Sequence, residues 1–252
     1  MHPILLEING FTLHTYGTVM ALAFALCLIP LTQRFPRHLF SLIDLYNFCL
    51  IILFVIFVGN RLLQYSYYHL LGFERGESLA IDELINGRGS YPALIITLIL
   101  LYLYCRIRQI PLLPTLDVLI PYAILLLAIQ RSFGCFMAGC CYGTPTNLPW
   151  GITFPLLSRA GQAFPGISIH PTQLYYGISA FGIWIFLLIY NHSAPKTGKV
   201  TAIGLGLLAF TYFWISFLRG DASGLTLSQY ASIILIVFAT ILYLRQHKLG
   251  RS

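Results

Sequence analysis

Residues 131–155 read RSFGCFMAGCCYGTPTNLPWGITFP. They follow an apolar run with no charge between Asp117 and Arg131. Polar and turn-forming residues then crowd in, with Gly139, Gly143, Thr144, Pro145, Thr146, Asn147 and Pro149. This is the pattern of a transmembrane helix ending, and its end carries an arginine, cysteines, Tyr142 and Trp150. Arginine near the hydrocarbon boundary is costly unless it is partnered. No acid lies close to Arg131 in the sequence, so a phosphate or a cluster of carbonyls is its expected partner.

The composition agrees with a membrane setting. The 252 residues are 58% hydrophobic and 9% charged, with a mean hydropathy of +0.78, where a soluble domain carries about 25% charged residues. The formal net charge of +7 sits mostly in short loops between apolar runs. It forms no basic stripe or tail of the kind nucleic-acid binding needs, so nucleic acid is not an expected partner.

Apolar runs long enough for about 30 Å of hydrocarbon predict an all-α polytopic membrane protein with seven transmembrane helices. The spans are about Phe11–Leu31, Leu42–Tyr68, Ser90–Cys105, Leu116–Met137, Pro171–Tyr190, Ala202–Leu218 and Leu227–Leu244. The first run lacks a basic start and an A-x-A site, so it is expected to remain as a span. No internal repeat is visible, and residues 1–252 read as one membrane domain with a long external loop at about 138–169. That loop holds four prolines and five glycines. Connections of this length are usually functional or disordered, and its aromatic and turn-forming content favours order.

The loops divide sharply by charge. One set holds Arg34, Arg37, Arg106, Arg108, Lys196, Lys199, Arg245, Lys248 and Arg251, with every lysine and no acid, although Asp44 and Asp117 lie just inside adjoining spans. The other holds Arg75, Arg88 and Arg159 against Glu74, Glu77, Asp82 and Glu83. The positive-inside rule therefore puts the N-terminus outside and the C-terminus in the cytoplasm.

With that orientation, Arg61, Arg88, Arg131, Arg219, His170, His14 and Tyr16 all fall near the outer face. Singly, each arginine reads as a snorkelling anchor. Together, with few acids beside them, they read as a site for a phospholipid headgroup, because the guanidinium fork suits phosphate oxygens. Tyr65, Tyr67, Tyr68, Tyr91, Tyr142, Trp150, Tyr175 and Tyr176 fit an interfacial aromatic belt. His170-Pro171 opens a helix, and His170 either caps that helix or belongs to the site. Cys27, Cys49 and Cys105 lie in apolar runs as small fillers. Cys135 either pairs with Cys140 or Cys141 in an oxidising compartment or packs as a small residue. No cysteine pair has C-x-x-C spacing, so neither a metal nor another cofactor is expected.

Several stretches together resemble the prolipoprotein diacylglyceryl transferase family. Leu13-His14-Thr15-Tyr16-Gly17 is similar to its first-span H-x-Y-G, Gly59-Asn60-Arg61 to its G-x-R, and Asn86 to Tyr91 to the start of its third-span motif. Gly134 to Pro155 resembles its signature loop, with Tyr142 in matching order. His170-Pro171-Thr172-Gln173-Leu174-Tyr175 resembles HP[ST]QLYE, and Phe217-Leu218-Arg219 resembles the close of the sixth span. The likeness covers nearly the whole chain. It implies a bacterial inner-membrane enzyme that moves a diacylglyceryl group from phosphatidylglycerol to the lipobox cysteine of a prolipoprotein signal peptide. It also implies substrate-binding roles for Arg61, Arg88, Arg131, Tyr142, Gln173, Tyr175 and Arg219. His14 and His170, assisted by Tyr16, are the catalytic candidates, since the thiol must lose its proton to become a good nucleophile.

The chain departs from the family pattern at several places. Pro92 stands where the family has a third-span histidine. In the signature, Ser132 takes the arginine's place, Cys135 and Ala138 those of two asparagines, and Cys140 that of a glutamate. Tyr176 replaces the glutamate after the HPSQLY motif, and Tyr212 and Ser216 replace a sixth-span arginine and glutamate. These losses favour an alternative: a relative that binds phospholipid headgroups or moves a different group. A transporter is disfavoured because no repeat is present, and a retinal-type receptor because the seventh span has no lysine. A serine protease built on Ser223 and His170 is disfavoured because that serine lies in a loop signal.

Overall fold

A computed structural model describes residues 4–8, 11–34, 36, 39–55, 91–193, 196–221 and 227–248. The chain opens with two short antiparallel strands, β1 (Ile4–Ile8) and β2 (Phe11–His14), with Glu7 opposite Thr12. This corrects the reading of Phe11 as the start of a span. Asn9-Gly10 in the sequence is a strong hairpin signal, and it directs the flanking residues into strands. The first helix, α1, begins only at Thr15 and runs to Arg34.

The other long elements are α2 (Leu42–Phe54), α3 (Tyr91–Ile107), α4 (Leu112–Ile129), α6 (Thr172–His192), α7 (Lys199–Ser216) and α8 (Leu227–Lys248). Beyond Ile129, α4 widens into a π-helical segment, Gln130–Cys135, and closes with one α-turn, Phe136–Ala138. Among the described residues, five helical stretches are long and apolar enough to cross a membrane: Thr15–Gln33, Leu112–Ala138, Thr172–His192, Lys199–Ser216 and Gln229–Lys248. Leu42–Phe54 and Ile96–Ile107 are apolar but shorter. The second half of the expected second span, from residue 56 on, lies outside the described residues.

Exposed apolar side chains recur at helical spacing. Leu22, Leu26 and Ile29 do so on α1, Ile178, Phe181, Ile185 and Ile189 on α6, and Ile234, Phe238 and Ile241 on α8. Such stripes face lipid in a membrane protein, whereas in water they would form an aggregating patch.

The residues group into two compact units, Met1–Arg34 with Leu116–Ser252, and Phe35–Thr115. In the first, Ile124 and Ala128 of α4, Ala180, Ile183 and Leu187 of α6, and Val200 of α7 form a buried core. Asp117 ties α4 to the start of α7. Its carboxylate accepts from the Gly198 amide, from the Thr201 amide at 2.7 Å and from the Thr201 hydroxyl at 2.6 Å. It thereby satisfies amides that a helix start leaves open.

In the second unit, Asp44 closes a capping box with Ser41. It also accepts from Tyr104 Oη at 2.8 Å and from Arg108 Nε at 3.1 Å. The two acids next to the basic loops are thus structural caps.

The long loop is folded. Strands β3 (Ile152–Thr153) and β4 (Ser168–Ile169) pair antiparallel, and a short helix, α5 (Arg159–Ala163), lies between them. Phe154, Ala160 and Ile169 are buried together, with Phe136, Tyr142, Ile152 and Phe164 packed around them. Apolar side chains spaced through a turn-rich stretch therefore give the cap a core of its own.

Candidate functional site

The site is built where α4 ends beneath this cap. Gly139 closes the helix at φ +65°, the left-handed conformation that favours glycine at a helix C-terminus. Cys141 also has a positive φ, 55°, which is uncommon for a side-chain-bearing residue and clusters at functional sites. The turn is held from α6. Thr172 Oγ1 donates to the Cys141 carbonyl at 2.6 Å, and Gln173 Nε2 donates to the Cys140 carbonyl at 2.8 Å. Both side chains are fully buried. The T-Q of the HPTQLY stretch therefore shapes the cysteine turn, and Gln173 reaches the site through the backbone of Cys140.

The strand-like residues after α7 complete the frame. The Thr144 amide donates to the Leu218 carbonyl at 2.9 Å, and the Gly220 amide donates to the Tyr142 carbonyl at 2.9 Å. Gly143 and His170 pair through the Gly143 amide at 3.1 Å, and His170 returns its amide to the Thr144 carbonyl at 3.0 Å. Arg219 thereby lies opposite Gly143 across an antiparallel bridge.

Arg131 sits on the π-helical segment, a local widening that often marks functional positions. One terminal nitrogen lies 3.2 Å from Cys141 Sγ and 3.9 Å from Cys135 Sγ. Its guanidinium carbon lies 5.2 Å from the centroid of Tyr176 and 5.5 Å from that of Tyr212, within cation–π range. Its Nε is buried without a partner. Two sulfurs and two ring faces thus surround the guanidinium, and no protein carbonyl or acid takes its Nε. The rings of Tyr176 and Tyr212 are themselves in contact, 4.4 Å between centroids. These are two of the positions where the resemblance implies a glutamate and an arginine. Cys135 and Cys140, where the resemblance implies an asparagine and a glutamate, lie in the same cluster, so these four departures meet in space.

The three thiols of Cys135, Cys140 and Cys141 lie within 4.8 Å of one another, and all are free. The disulfide alternative is therefore not realised in this structure. Hydrogen bonds from Cys135 and Cys140, then the Arg131 and Arg219 charges, hold the Cys141 pKa well below the ordinary thiol range against burial. Cys140 moves the opposite way, raised by its bonds to Cys135 and Cys141 and then by burial.

Arg219 grips Asp221 through Nε and Nη2, both at 2.8 Å. Burial opposes its charge, but the Asp221 bond and nearby Cys141 outweigh that, and its pKa is raised. Much of its fork is thus already engaged.

The catalytic candidates are placed unevenly. His14 ends β2, and Tyr16 lies in the first turn of α1. The Tyr16 hydroxyl accepts from Gln130 Nε2 at 2.6 Å, and its ring lies against Gly134, which ties it to the π-helical segment. His170 makes no helix cap. Its Nδ1 lies 3.2 Å from Tyr175 Oη, which accepts from Trp150 Nε1 at 2.8 Å. The Tyr142 ring packs against Phe164 in the cap's core. Arg61 and Arg88 lie outside the described residues.

Sequence reasoning missed Gln130, the structural task of Thr172, and the clustering of the three cysteines, two of which reach Arg131. Only the cysteines left a signal, as three thiols within residues 135–141.

Comparison with known proteins bears on the whole chain. A family model described as prolipoprotein diacylglyceryl transferase matches residues 3–245. The phosphatidylglycerol–prolipoprotein diacylglyceryl transferase of Clostridium tetani is 31% identical over 247 residues, covering 96% of this chain and 97% of that protein. The protein of that name from Synechocystis sp. is 31% identical over 260 residues, covering 98% and 91%. A Clostridium perfringens protein named as transferase 2 is 27% identical, covering 96% and 94%. The match spans both the apolar helices and the folded cap, and this multi-pass membrane chain belongs to the prolipoprotein diacylglyceryl transferase family.

Proposed function

We propose that this chain transfers the diacylglyceryl group of phosphatidylglycerol to the lipobox cysteine of a prolipoprotein signal peptide, at the outer side of a bacterial inner membrane. In the same reading it crosses the membrane seven times, with its N-terminus outside. The observation that carries the site assignment is the seat of Arg131. A buried guanidinium with an unpartnered Nε, flanked by rings and thiols, is poised for a phosphate oxygen. Buried polar groups are normally satisfied. Among the described residues the unsatisfied ones also include Gln130 Oε1, Gln173 Oε1 and Tyr212 Oη, on or beside the same site.

In the reaction, the acceptor thiol gives up its proton and its sulfur attacks the terminal glycerol carbon of the diacylglyceryl group. The C–S bond forms as the C–O bond to phosphate breaks, and glycerol phosphate leaves with the electron pair. Charge develops on that phosphate, where a preorganised cation lowers the barrier. Arg131 supplies the cation, and Arg219 adds its field from beside Asp221. Arg61 and Arg88 are further candidates for the headgroup. His14 and His170 are the candidate proton acceptors, with Tyr16 assisting.

The test uses phosphatidylglycerol labelled in its diacylglycerol moiety and a lipobox peptide. Label should appear on the peptide's cysteine. Arg131→Lys should lower the rate by about 100-fold, the scale of losing one oriented donor. An unchanged rate removes Arg131 from the mechanism. A second reading, headgroup binding without transfer, is favoured by the Tyr176–Tyr212 pair at two positions where the resemblance implies charge. Phosphatidylglycerol bound without any labelled peptide is its expected result.

A further inference from the structure

We propose that Cys135, Cys140 and Cys141 bind one zinc-like divalent ion, whose open fourth position takes the acceptor's thiol and holds it as the attacking thiolate. The role of the fourth position rests on the transferase reading; the metal site itself does not. It reverses the expectation of no metal, which came from C-x-x-C spacing alone.

Three observations converge. The Sγ atoms lie within 4.8 Å of one another. Thiolates around zinc, at about 2.3 Å from the metal, stand roughly 3.8–4.0 Å apart, so small adjustments close the site. A disulfide needs sulfurs at about 2.05 Å, and these thiols are free.

The ligands are also oriented from behind. Cys135 is fixed on the π-helical segment, while Thr172 and Gln173 hold the carbonyls of Cys141 and Cys140. Outer contacts of this kind set ligand direction in metal sites. Finally, the charge balances. Three thiolates and a divalent ion carry one net negative charge, and Arg131, 3.2 Å from Cys141 Sγ, supplies the countercharge. Among the described residues no fourth ligand joins the trio. Three protein ligands with an open position are the arrangement of a catalytic rather than a structural zinc site.

The chemistry fills the gap left by Pro92 and Cys140, which stand where the family resemblance implies a histidine and a glutamate. A thiol that coordinates the ion loses its proton outright, and that proton passes by way of the candidate acceptors His14 or His170 to water. The bound sulfur then forms the C–S bond, the C–O bond to phosphate breaks, and the electron pair leaves on glycerol phosphate. Arg131 touches two of the ligand sulfurs, those of Cys135 and Cys141, through a terminal nitrogen, and the phosphate site through its free Nε. It would thus hold nucleophile and leaving group on one cation.

The experiment takes the full chain in detergent, reduced with a phosphine and stripped by chelation. Cadmium titration should give a sulfur-to-metal charge-transfer band that saturates at one ion per chain. The band should vanish in Cys135→Ser/Cys140→Ser/Cys141→Ser and persist when Cys27, Cys49 and Cys105 are replaced. In the unaltered protein, stoichiometric zinc should protect those three cysteines, identified by peptide mass spectrometry, from alkylation at least tenfold. This arm needs no variant to fold. A missing band, a band surviving in the triple variant, or equal alkylation with and without zinc overturns the site.

With cobalt bound, a lipobox peptide should shift the visible spectrum and its cysteine-to-serine version should not. Transfer should fall at least tenfold on stripping and return with zinc. Full transfer by the stripped protein overturns thiol activation by the metal and leaves the transferase reading standing. Metal binding with no transfer under any loading overturns the transferase reading and leaves the site standing.

Discussion

A guanidinium at the end of an apolar helix is ordinarily neutralised by a carboxylate or drawn out to the interface. Arg131 is instead enclosed by Tyr176 and Tyr212 and directed at thiols. Ring faces stabilise a cation without cancelling its charge, so its Nε remains available to an anion. Tyr16 is the neighbouring residue whose role is open to a sharp test. Its hydroxyl takes a 2.6 Å bond from Gln130, the residue before Arg131. Tyr16→Phe removes that oxygen and should lower transfer by about tenfold or more, the low end for losing a group that assists proton movement. Turnover equal to the unaltered protein takes Tyr16 out of the reaction. The arginine was legible in the sequence because charge is conspicuous in an apolar run. Its surroundings were not, because Tyr176 and Tyr212 lie on α6 and α7, far along the chain from residue 131. No local pattern reports that meeting.

At the scale of elements, the helices were the legible part, since long apolar runs dictate both their type and their approximate length. The hairpin β1–β2 was not read, although Asn9-Gly10 signals it, because a hydropathy reading assigns Phe11 to the first span. Nor was the π-helical widening at Gln130–Cys135, which depends on packing and leaves no period in the sequence.

Substitutions at two contacts test how the elements are joined. Asp117→Ala strips the amides of Gly198 and Thr201 of their acceptor. It should destabilise the protein by about 1–2 kcal/mol, as expected for losing a helix cap, read as a lowered denaturation midpoint. Gly177 on α6 meets Ser132 so closely that a Cβ would collide with its side chain. Gly177→Val should therefore separate α6 from the π-helical segment and abolish transfer, and Ser132→Gly should restore part of it. Equal loss with and without the second change would mean that this contact does not set the spacing.

For the whole molecule, charge asymmetry between the loops gives an orientation that the fold by itself does not fix. An impermeant maleimide should label Arg159→Cys in intact spheroplasts, and Lys196→Cys only after the membrane is opened. The reverse pattern inverts the proposed topology. Hydropathy made the membrane class plain, and the loop at 138–169 announced itself by length. Its being a folded cap required knowing that Phe154, Ala160 and Ile169 would find one another, a tertiary fact.

The way that cap is fastened has a further consequence. Tyr142, Gly143 and Thr144 are tied to Leu218, Gly220 and His170 by amides and carbonyls, which every residue except proline provides in full. The mould that gives the site its shape is therefore cast largely in main chain, while the reactive groups are inserts set into it. Inserts can be exchanged, a carboxylate for a sulfur or charged side chains for a pair of phenols in contact, without recasting the mould. That is how a chain keeps a transferase's form from end to end while its reactive centre is re-equipped.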